Sequence, residues 1–259
     1  MLVVLSPAKA LDFSENSICS DQTEPVFQDR ANVLASVMRS LSHEDLKGLM
    51  GISDDLAKLN KARFAAFGTS DSGESKKAAL FAFAGDTYVG FDASTLTRDV
   101  LEYAQDHLRI LSGLYGVLRP LDGIEPYRLE MGSRLVTDQG RTLYDYWSDK
   151  IANSLDATSG GQPIVNCAST EYFKAAALHV KSPVITPAFK EERGNTLKMV
   201  GFFAKKARGA MARYIVEKRI DDPKDLEGFD FGGYRFRNDL SERGAPVFTR
   251  KTPEPALAK

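Results

Sequence analysis

The chain has 259 residues, of which 43% are hydrophobic and 27% charged, and its 34 Lys and Arg side chains nearly balance 35 Asp and Glu. This composition is typical of an ordinary water-soluble protein that buries a substantial core. A formal net charge of −1 argues against a general binder of polyanions, because such binding grows with the number of phosphates neutralised. Any contact with nucleic acid would have to use a local basic patch.

The sequence lacks the signals of a membrane or exported protein. No apolar run approaches the roughly 20 residues needed to cross a bilayer. The N-terminus has neither a basic leader nor a small-residue cleavage site. We therefore expect a cytoplasmic protein with no membrane partner.

Cysteine and histidine usage gives no sign of a metal centre. Cys19 and Cys167 lie far apart without a CxxC pattern, and the three histidines have no ligand spacing relative to them. Nor does the chain contain a P-loop, a GxGxxG run or a Ser-His-Asp order. The sequence therefore predicts no metal and no cofactor, and Cys167 is interpreted as a packing residue.

The first quarter of the chain predicts one strand followed by three helices. Residues 2–5 form a short apolar run ended by Ser-Pro, which is typical of a buried strand. Residues 26–41 have amphipathic spacing, and residues 42–50 begin with the S-x-x-[DE] pattern of a helix start. A turn at residues 51–53 and a further helix at 54–67 follow.

The middle of the chain predicts strands and helices in alternation. A flexible loop is expected at residues 68–75, then a strand at 80–88 and a helix at 97–108 with a Thr cap. Residues 110–118 have strand composition. The prolines of residues 118–132 make a helix there unfavourable, so we expect a loop with a short strand.

The last part predicts three helices and three strands. Residues 144–155 indicate an aromatic-rich helix, and residues 163–167 a buried strand that runs into a helix capped by a polar residue. Residues 184–189 and 196–203 are interpreted as a strand pair. A helix from 205 to 219 follows.

These elements predict a mixed α/β (α+β) fold in a single globular domain, with a mixed β-sheet flanked by helices. The domain is expected to span residues 1–248, with a helix-hairpin-helix element at residues 42–64. Residues 249–259 contain two prolines and predict a flexible tail.

The most informative local feature is a concentration of positive charge. Residues 198–219 hold seven cations against one anion, Glu217, and such a stretch points to an anionic partner. Interleaved Gly and Ala residues permit close approach of backbone or ligand. The alternative is a solvated helix whose basic residues only keep it soluble. The candidate contacts are Lys205, Lys206, Arg208 and Arg213.

The predicted hairpin is a second candidate anion site. With Gly51 in its turn, it resembles the helix-hairpin-helix element of non-sequence-specific DNA-binding proteins, in which hairpin N–H groups hold a backbone phosphate. Ser53 stands where such elements usually carry a second Gly. Asp54 and Asp55 would repel that phosphate, and the charges of residues 42–63 balance. The alternative is a plain helical hairpin that packs on the core.

Charged residues beside strand ends and prolines form a third candidate site, where mixed α/β proteins tend to build their clefts. The cleft would be lined by Lys9, Arg119, Arg128, Asn166, Ser169 and Arg208. Asp12 or Glu130 would serve as acid or base, and Asp86 and Asp122 could add carboxylates. The alternative is intrachain ion pairing of these groups. No catalytic residue is assigned.

Six segments, in order along the chain, together resemble the YaaA family of bacterial peroxide-stress proteins. The resemblance runs from Met1 to about Phe248. The segments are LSPAK at 5–9, GDTYVG at 85–90, HLRILSGLYGVLRPLD at 107–122, PYRLEMG at 126–132, EYF at 171–173 and FAKKARG at 203–209.

The resemblance implies a cytoplasmic protein that limits intracellular free iron, and with it oxidative damage, during hydrogen peroxide stress. It also implies a mixed α/β fold of the family's own kind, a helix-hairpin-helix element, and a positively charged cleft associated with DNA binding.

Three hypotheses for the molecular activity follow. The first is sequence-independent DNA binding through the basic helix and the Gly51 hairpin. The second is an enzyme or small-anion-binding protein with a cleft lined by Lys and Arg. A compact basic pocket would favour the enzyme or small-anion hypothesis, whereas an open groove of duplex width would favour DNA binding. The third, direct iron binding, would have to use carboxylates, because no His/Cys cluster is evident.

Overall fold

The computed structural model of the chain describes residues 1–14, 22–69, 76–194 and 196–252. Cys19 and residues 70–75 of the predicted loop lie outside the described residues. The helices of the described part are α1 (Gln28–Ser40), α2 (His43–Met50), α3 (Asp54–Ala66), α4 (Ala79–Ala82), α5 (Asp86–Phe91), α6 (Arg98–His107), α7 (Leu143–Trp147), α8 (Lys150–Ser159), α9 (Thr170–Ala177) and α10 (Gly201–Lys218).

Short strands alternate with these helices. The strands are β1 (Leu2–Leu5), β2 (Ala10–Leu11), β3 (Lys77–Ala78), β4 (Phe83–Ala84), β5 (Leu108–Ser112), β6 (Gly116–Leu118), β7 (Gly123–Ile124), β8 (Ile164–Asn166), β9 (Val184–Ile185), β10 (Ala188–Arg193), β11 (Thr196–Lys198), β12 (Arg235–Phe236) and β13 (Val247–Lys251).

A five-stranded sheet in the order β6-β5-β1-β8-β9 forms the centre of the molecule. β1 pairs in parallel with both β5 and β8, β8 pairs in parallel with β9, and β6 is antiparallel to β5. All four residues of β1 are buried, as expected of a strand covered on both faces. The chain reaches β5 first and then crosses to β8 on the other side of β1. The strand order therefore reverses beside β1.

A second, four-stranded sheet has the order β11-β10-β13-β12. β13 pairs in parallel with β10 and in antiparallel fashion with β12. Residues 249–251 belong to this strand rather than to the tail that the sequence predicts from Thr249, and Thr249 itself is buried. Residues 253–259 lie outside the described part of the chain.

The predicted fold class is confirmed, because mixed sheets flanked by helices form a mixed α/β fold. The predicted pair of helices near the N-terminus is also present as α2 and α3. The Ser42 hydroxyl and the Asp45 carboxylate form a capping box at the start of α2. Gly51 ends α2 in the left-handed region at φ 58°, which glycine adopts without strain.

The strand predicted at residues 80–88 was wrong for most of its length. Those residues form α4, the two-residue strand β4 and the start of α5, with Gly85 at φ 148° between β4 and α5. The segment is apolar because it is buried, and burial alone does not distinguish a short strand from a short helix.

Two helix predictions also need correction. The helix predicted over 144–155 is broken by Ser148, at φ 47°, into α7 and α8. The strand predicted to reach residue 203 stops at Lys198, and α10 begins at Gly201 rather than at Lys205. Lys205 therefore lies in the second turn of the helix and not in the first.

Candidate functional site

A cleft of about 400 Å³ lies where β1 and β8 end. The chain leaves β1 at Ser6 and β8 at Cys167, and the two strands are parallel neighbours. In open α/β sheets, ligands bind beyond the carboxyl ends of the strands where the strand order reverses. The polar side chains lining the cleft are Ser6, Lys9, Asp86, Thr87, Glu130, Cys167, Ser169, Glu171, Tyr172, Lys205 and Arg208.

The floor of the cleft is made by two serines at the ends of the two strands. The backbone N–H of Ser169 donates to the Ser6 hydroxyl at 2.8 Å, and that hydroxyl donates to the Ser169 hydroxyl at 3.3 Å. The Tyr88 hydroxyl donates to the Ser6 carbonyl at 3.0 Å. These bonds fix the two strand ends to each other and to α5.

The N-terminus of α9 lies in the cleft wall. Ser169 occupies the N-cap position, but its side chain makes no capping hydrogen bond, contrary to the capping role that the sequence predicts. The first N–H groups of an α-helix have no partner inside the helix, and the positive end of its dipole lies there. Since Ser169, Glu171 and Tyr172 line the cleft, this uncapped helix start is available to an anion.

Two cations from α10 complete the opposite part of the lining. Within the described ranges, neither Lys205 nor Arg208 makes a hydrogen bond or ion pair with another protein group. Arg208 lies near the Cys167 thiol and favours its ionised form, but burial outweighs this and raises the thiol pKa to about 12. Cys167 is therefore a protonated packing residue, and the charge of Arg208 is left for another partner.

The carboxylates of the cleft differ in how far they are neutralised. Glu130 lies between two cations, at 2.9 Å from Lys9 Nζ and 3.0 Å from Arg128 Nη2. Glu171 accepts a hydrogen bond from the backbone N–H of Gly132 at 2.9 Å. Asp86 has no hydrogen-bond or ion-pair partner among the residues that the structure describes. The cleft thus combines unpaired cations on α10 with one unpaired carboxylate at the start of α5.

Close packing of α5 on α10 sets the positions of these groups. A Cβ atom added at Gly90 would lie 2.0 Å from the Lys206 carbonyl oxygen, and one at Gly209 would lie 1.8 Å from the Thr87 carbonyl oxygen. Only glycine allows backbones to approach so closely. The Gly and Ala residues noted in the basic stretch therefore serve contact between two backbones.

Several predicted site residues are engaged elsewhere in the structure. Arg119 donates to the buried Asp122 carboxylate, and Arg213 donates to Glu217 at 2.7 Å. The buried Asn166 accepts from the Ala168 N–H at 3.0 Å and holds the turn after β8. None of these three predicted site residues lines the cleft.

Lys206, Asp12 and Arg128 also lie outside the cleft lining. The backbone of Lys206 packs on Gly90. Asp12 accepts hydrogen bonds from Ser14, which lower the pKa of its carboxyl below the ordinary value. Arg128 donates a hydrogen bond to Glu130, which lines the cleft. The buried Nε of Arg128 has no partner among the described residues. The predicted residues that the structure brings together are Lys9, Glu130, Ser169, Lys205 and Arg208.

Four cleft residues were missed by sequence reasoning. Ser6 and Thr87 carry no catalytic pattern of their own, and Glu171 and Tyr172 open an ordinary amphipathic helix. The signal that could have found them is their position. Ser6 follows a buried strand, and the other three lie at helix starts within the segments that carry the family resemblance.

The predicted hairpin lies apart from the cleft. Gly51 ends α2, and Ser53 caps α3 by accepting from the Leu56 N–H at 3.4 Å. Beside it, the structure brings together a His and two carboxylates that sequence spacing did not reveal. They are His43, Glu44 and Asp54, and one possible metal-ligand atom from each lies within 4.8 Å of the other two. In the described part of the chain, this is the one group of His, Cys, Asp or Glu side chains with such spacing.

Two cations already neutralise that group. Lys58 Nζ lies 2.7 Å and Lys47 Nζ 3.6 Å from carboxylate oxygens of Asp54. Hydrogen bonds from Lys58 and His43 hold the pKa of the Asp54 carboxyl far below its ordinary value. A metal ion would have to displace these ammonium groups.

Comparison with known proteins relates the whole chain to one family. The family model described as peroxide stress protein YaaA matches residues 1–240. A UPF0246 protein of Ruegeria pomeroyi is 54% identical over 96% of this chain and 98% of its own length. A UPF0246 protein of Dinoroseobacter shibae is 54% identical over 100% of this chain and 98% of its own length. One of Caulobacter vibrioides is 51% identical over 98% of this chain and 100% of its own length.

None of the described helices combines the length and the apolar character needed to span a membrane. The segments that carry the resemblance supply most of the cleft lining, and the family match covers almost the entire described fold. This chain belongs to the YaaA family of peroxide stress proteins.

Proposed function

We propose that this protein acts in the cytoplasm during peroxide stress by binding a phosphate-bearing small ligand in the cleft at the ends of β1 and β8. The observation that carries the proposal is that two cations with no partner among the described residues, Lys205 and Arg208, share a cleft with the uncapped start of α9. A helix start and unpaired cations each favour a bound anion.

The size and charge pattern of the cleft favour a small ligand over a duplex. Its volume of about 400 Å³ falls in the range of small-molecule sites, which is roughly 300–1,000 Å³. Two carboxylates of the lining, Asp86 and Glu171, have no cationic partner among the described residues and would repel the closely spaced phosphates of a duplex. A single phosphate can bind at the Arg208 side without meeting both.

Sequence-independent DNA binding is the second candidate, favoured by the charge on the surface of α10. Lys205 is exposed and lies about one helical turn from Arg208, whereas the half-buried Lys206 lies on another face of the helix. The Gly51 hairpin could add N–H donors, although Asp54 lies at the start of α3. In either case the cellular outcome that we propose is a lower level of free iron and less oxidative damage, as in the family's peroxide-stress role.

Isothermal titration with inorganic phosphate and AMP, with duplex DNA in a parallel salt series, separates the two candidates. Arg208→Ala should weaken phosphate and AMP binding at least tenfold, because charge-assisted hydrogen bonds to a phosphate would be lost. Lys218→Ala is the matched control, since it removes the same charge from the exposed last turn of the same helix. An equal loss in both variants would show a net-charge effect and contradict the cleft assignment.

Duplex binding with a steep salt slope would instead establish the second candidate, provided that it is lost in the Lys205/Lys206/Arg208 triple alanine variant and unaffected by AMP. For the cellular role, a deletion strain carrying the Arg208→Ala protein should show higher free iron by electron paramagnetic resonance after peroxide than one carrying the Lys218→Ala protein. Equal iron levels at equal protein abundance would contradict a role for the cleft in iron control.

A further inference from the structure

Three exposed apolar side chains, the apolar patch of this protein, come shortly before the two cleft cations in the chain. Leu197, Met199 and Phe202 lie within six residues of one another and are 37%, 54% and 55% exposed. They span the end of β11 and the start of α10. Large apolar side chains exposed close together are candidates for contact with a ligand or partner.

Phe202 lies on the same ridge of α10 as the two cleft cations. Phe202, Lys205 and Arg208 are spaced by three residues, so each is turned about 60° from the next around the helix. Arg208 and Phe202 are about 9 Å apart along the axis at 1.5 Å per residue. Lys205 and Arg208 line the cleft and Phe202 does not: it lies one turn before Lys205, about 120° around the helix from Arg208.

The ring of Phe202 is free to take a flat partner. Among the residues that the structure describes, its one aromatic neighbour is Phe203, with ring centroids 5.4 Å apart in an edge-to-face arrangement. The residue is 55% exposed, which leaves room for a planar ligand beside it. Flat aromatic rings next to cations are the elements with which proteins bind nucleotides independently of base sequence.

The remaining groups of the cleft suit the middle of such a ligand. Asp86 is a half-buried carboxylate in the cleft lining, without a partner among the described residues. A carboxylate accepts hydrogen bonds and donates none, so it prefers a hydroxylated part of the ligand over its phosphate. Sugar hydroxyls provide those donors, as in the carboxylate contacts of dinucleotide sites.

We propose that the ligand of this cleft is a nucleoside phosphate whose base stacks on Phe202. This inference rests on the proposed anion site and names its ligand class. The phosphate lies at Arg208 and the start of α9, the sugar hydroxyls donate to Asp86, and the base leaves the cleft along Lys205 towards Phe202. Stacking needs only a flat face, so purines and pyrimidines both bind, with purines favoured by their larger area.

Titration calorimetry of AMP against ribose 5-phosphate tests the base contact, because the two ligands differ only by the base. Wild-type protein should bind AMP about 5- to 150-fold more tightly, the equivalent of about 1–3 kcal/mol for one stacked base. Phe202→Ala should abolish this preference while leaving ribose 5-phosphate binding unchanged. Phe202→Tyr should retain it, and the matched control Leu197→Ala, in the same patch but outside the ridge, should not change it.

The outcomes separate the two proposals. If ribose 5-phosphate binds and depends on Arg208 but AMP binds no better, or if Phe202→Ala keeps the preference, the base contact is refuted and the anion site stands. In that case the patch serves another occupant, such as a second copy of the chain. If neither ligand binds to the wild-type protein, both proposals fail.

A short single-stranded oligodeoxynucleotide in the same titration identifies the source of the nucleotide. Tighter binding of the oligonucleotide than of AMP, with the same loss in Phe202→Ala, shows that the nucleotide belongs to a nucleic acid strand. Tighter binding of AMP shows that it is free. Either of these two results supports stacking of the base on Phe202. If Phe202→Ala leaves the affinity for the oligonucleotide unchanged, the bases of a nucleic acid strand do not stack on Phe202.

Discussion

Replacing Gly209 by Ala should destabilise the protein and disturb the cleft, because Gly209 lies where α10 meets α5. The added Cβ would lie 1.8 Å from the Thr87 carbonyl oxygen and 2.9 Å from the Phe91 nitrogen, and both are backbone atoms. A contact of at least 3.0 Å needs a displacement of 3.0 − 1.8 = 1.2 Å. No side-chain rotation can supply it, so the two helices have to move apart.

Two opposing effects set the size of the loss. Overpacking of a close-packed interior costs about 1–3 kcal/mol, and the upper end applies here because backbone cannot rotate away. Against this, Ala is about 1 kcal/mol more favourable than Gly inside a helix. The free energy of unfolding should therefore fall by about 2 kcal/mol, which lowers Tm by about 4–8 °C for a domain of this size.

Urea unfolding followed by circular dichroism measures the change. Gly201→Ala is the matched control, since it adds the same methyl group to the same helix at a site with no atom within 4 Å. It should leave the urea midpoint unchanged or slightly raised. If Gly209→Ala is as stable as Gly201→Ala, then α5 and α10 are not in backbone contact and the position of Asp86 relative to Arg208 has another cause.

Three further predictions concern groups outside the helix contact. Asp122→Asn should lower the free energy of unfolding by about 3 kcal/mol, because its buried carboxylate accepts from the Arg119 backbone N–H and side chain; an unchanged urea midpoint would contradict this. Cys167 should resist iodoacetamide at pH 8 until the protein is denatured, since burial raises its thiol pKa to about 12, and rapid labelling of the native protein, read by peptide mass spectrometry, would disprove it. In the folded protein the pKa of the Asp54 carboxyl lies below its ordinary value of 3.8, chiefly because of the hydrogen bond from Lys58. The ionised carboxylate therefore stabilises the fold above pH 3.8, and this stabilisation is lost as the pH falls towards the pKa of the folded state. Stability should therefore fall less steeply below pH 4 in Asp54→Asn than in the wild-type protein, and equal slopes in acid titrations of unfolding would count against the ion pair.

Features set by near neighbours in the chain were predictable from the sequence. The run at residues 2–5 is β1, because a short, continuously apolar segment ended by Ser-Pro suits a buried strand. The capping box at Ser42 and the cap at Thr97 start α2 and α6 as expected, since a capping side chain bonds to N–H groups within its own first turn. The concentration of positive charge near residue 205 was also visible, because the cations follow one another in sequence.

Features set by distant contacts were decided only by the tertiary structure. The segment at residues 80–88 looked like a strand, but its last residues begin α5, which packs against the backbone of α10 at Gly90 and Gly209. Equal apolar composition suits either element, so the outcome depended on a partner more than a hundred residues away.

The candidate site divides in the same way. The sequence by itself determined which residue types were available and named Lys9, Glu130, Ser169, Lys205 and Arg208. It equally named Arg119, Asn166 and Arg213, whose partners turned out to lie within the fold. The parallel pairing of β1 with β8 brought the segments that follow them to one edge, and the packing of α5 on α10 added Lys205 and Arg208 to it. Whether a charge such as that of Arg208 is available to a ligand depends on which distant groups the fold brings within hydrogen-bond distance, and near neighbours in the chain do not determine that.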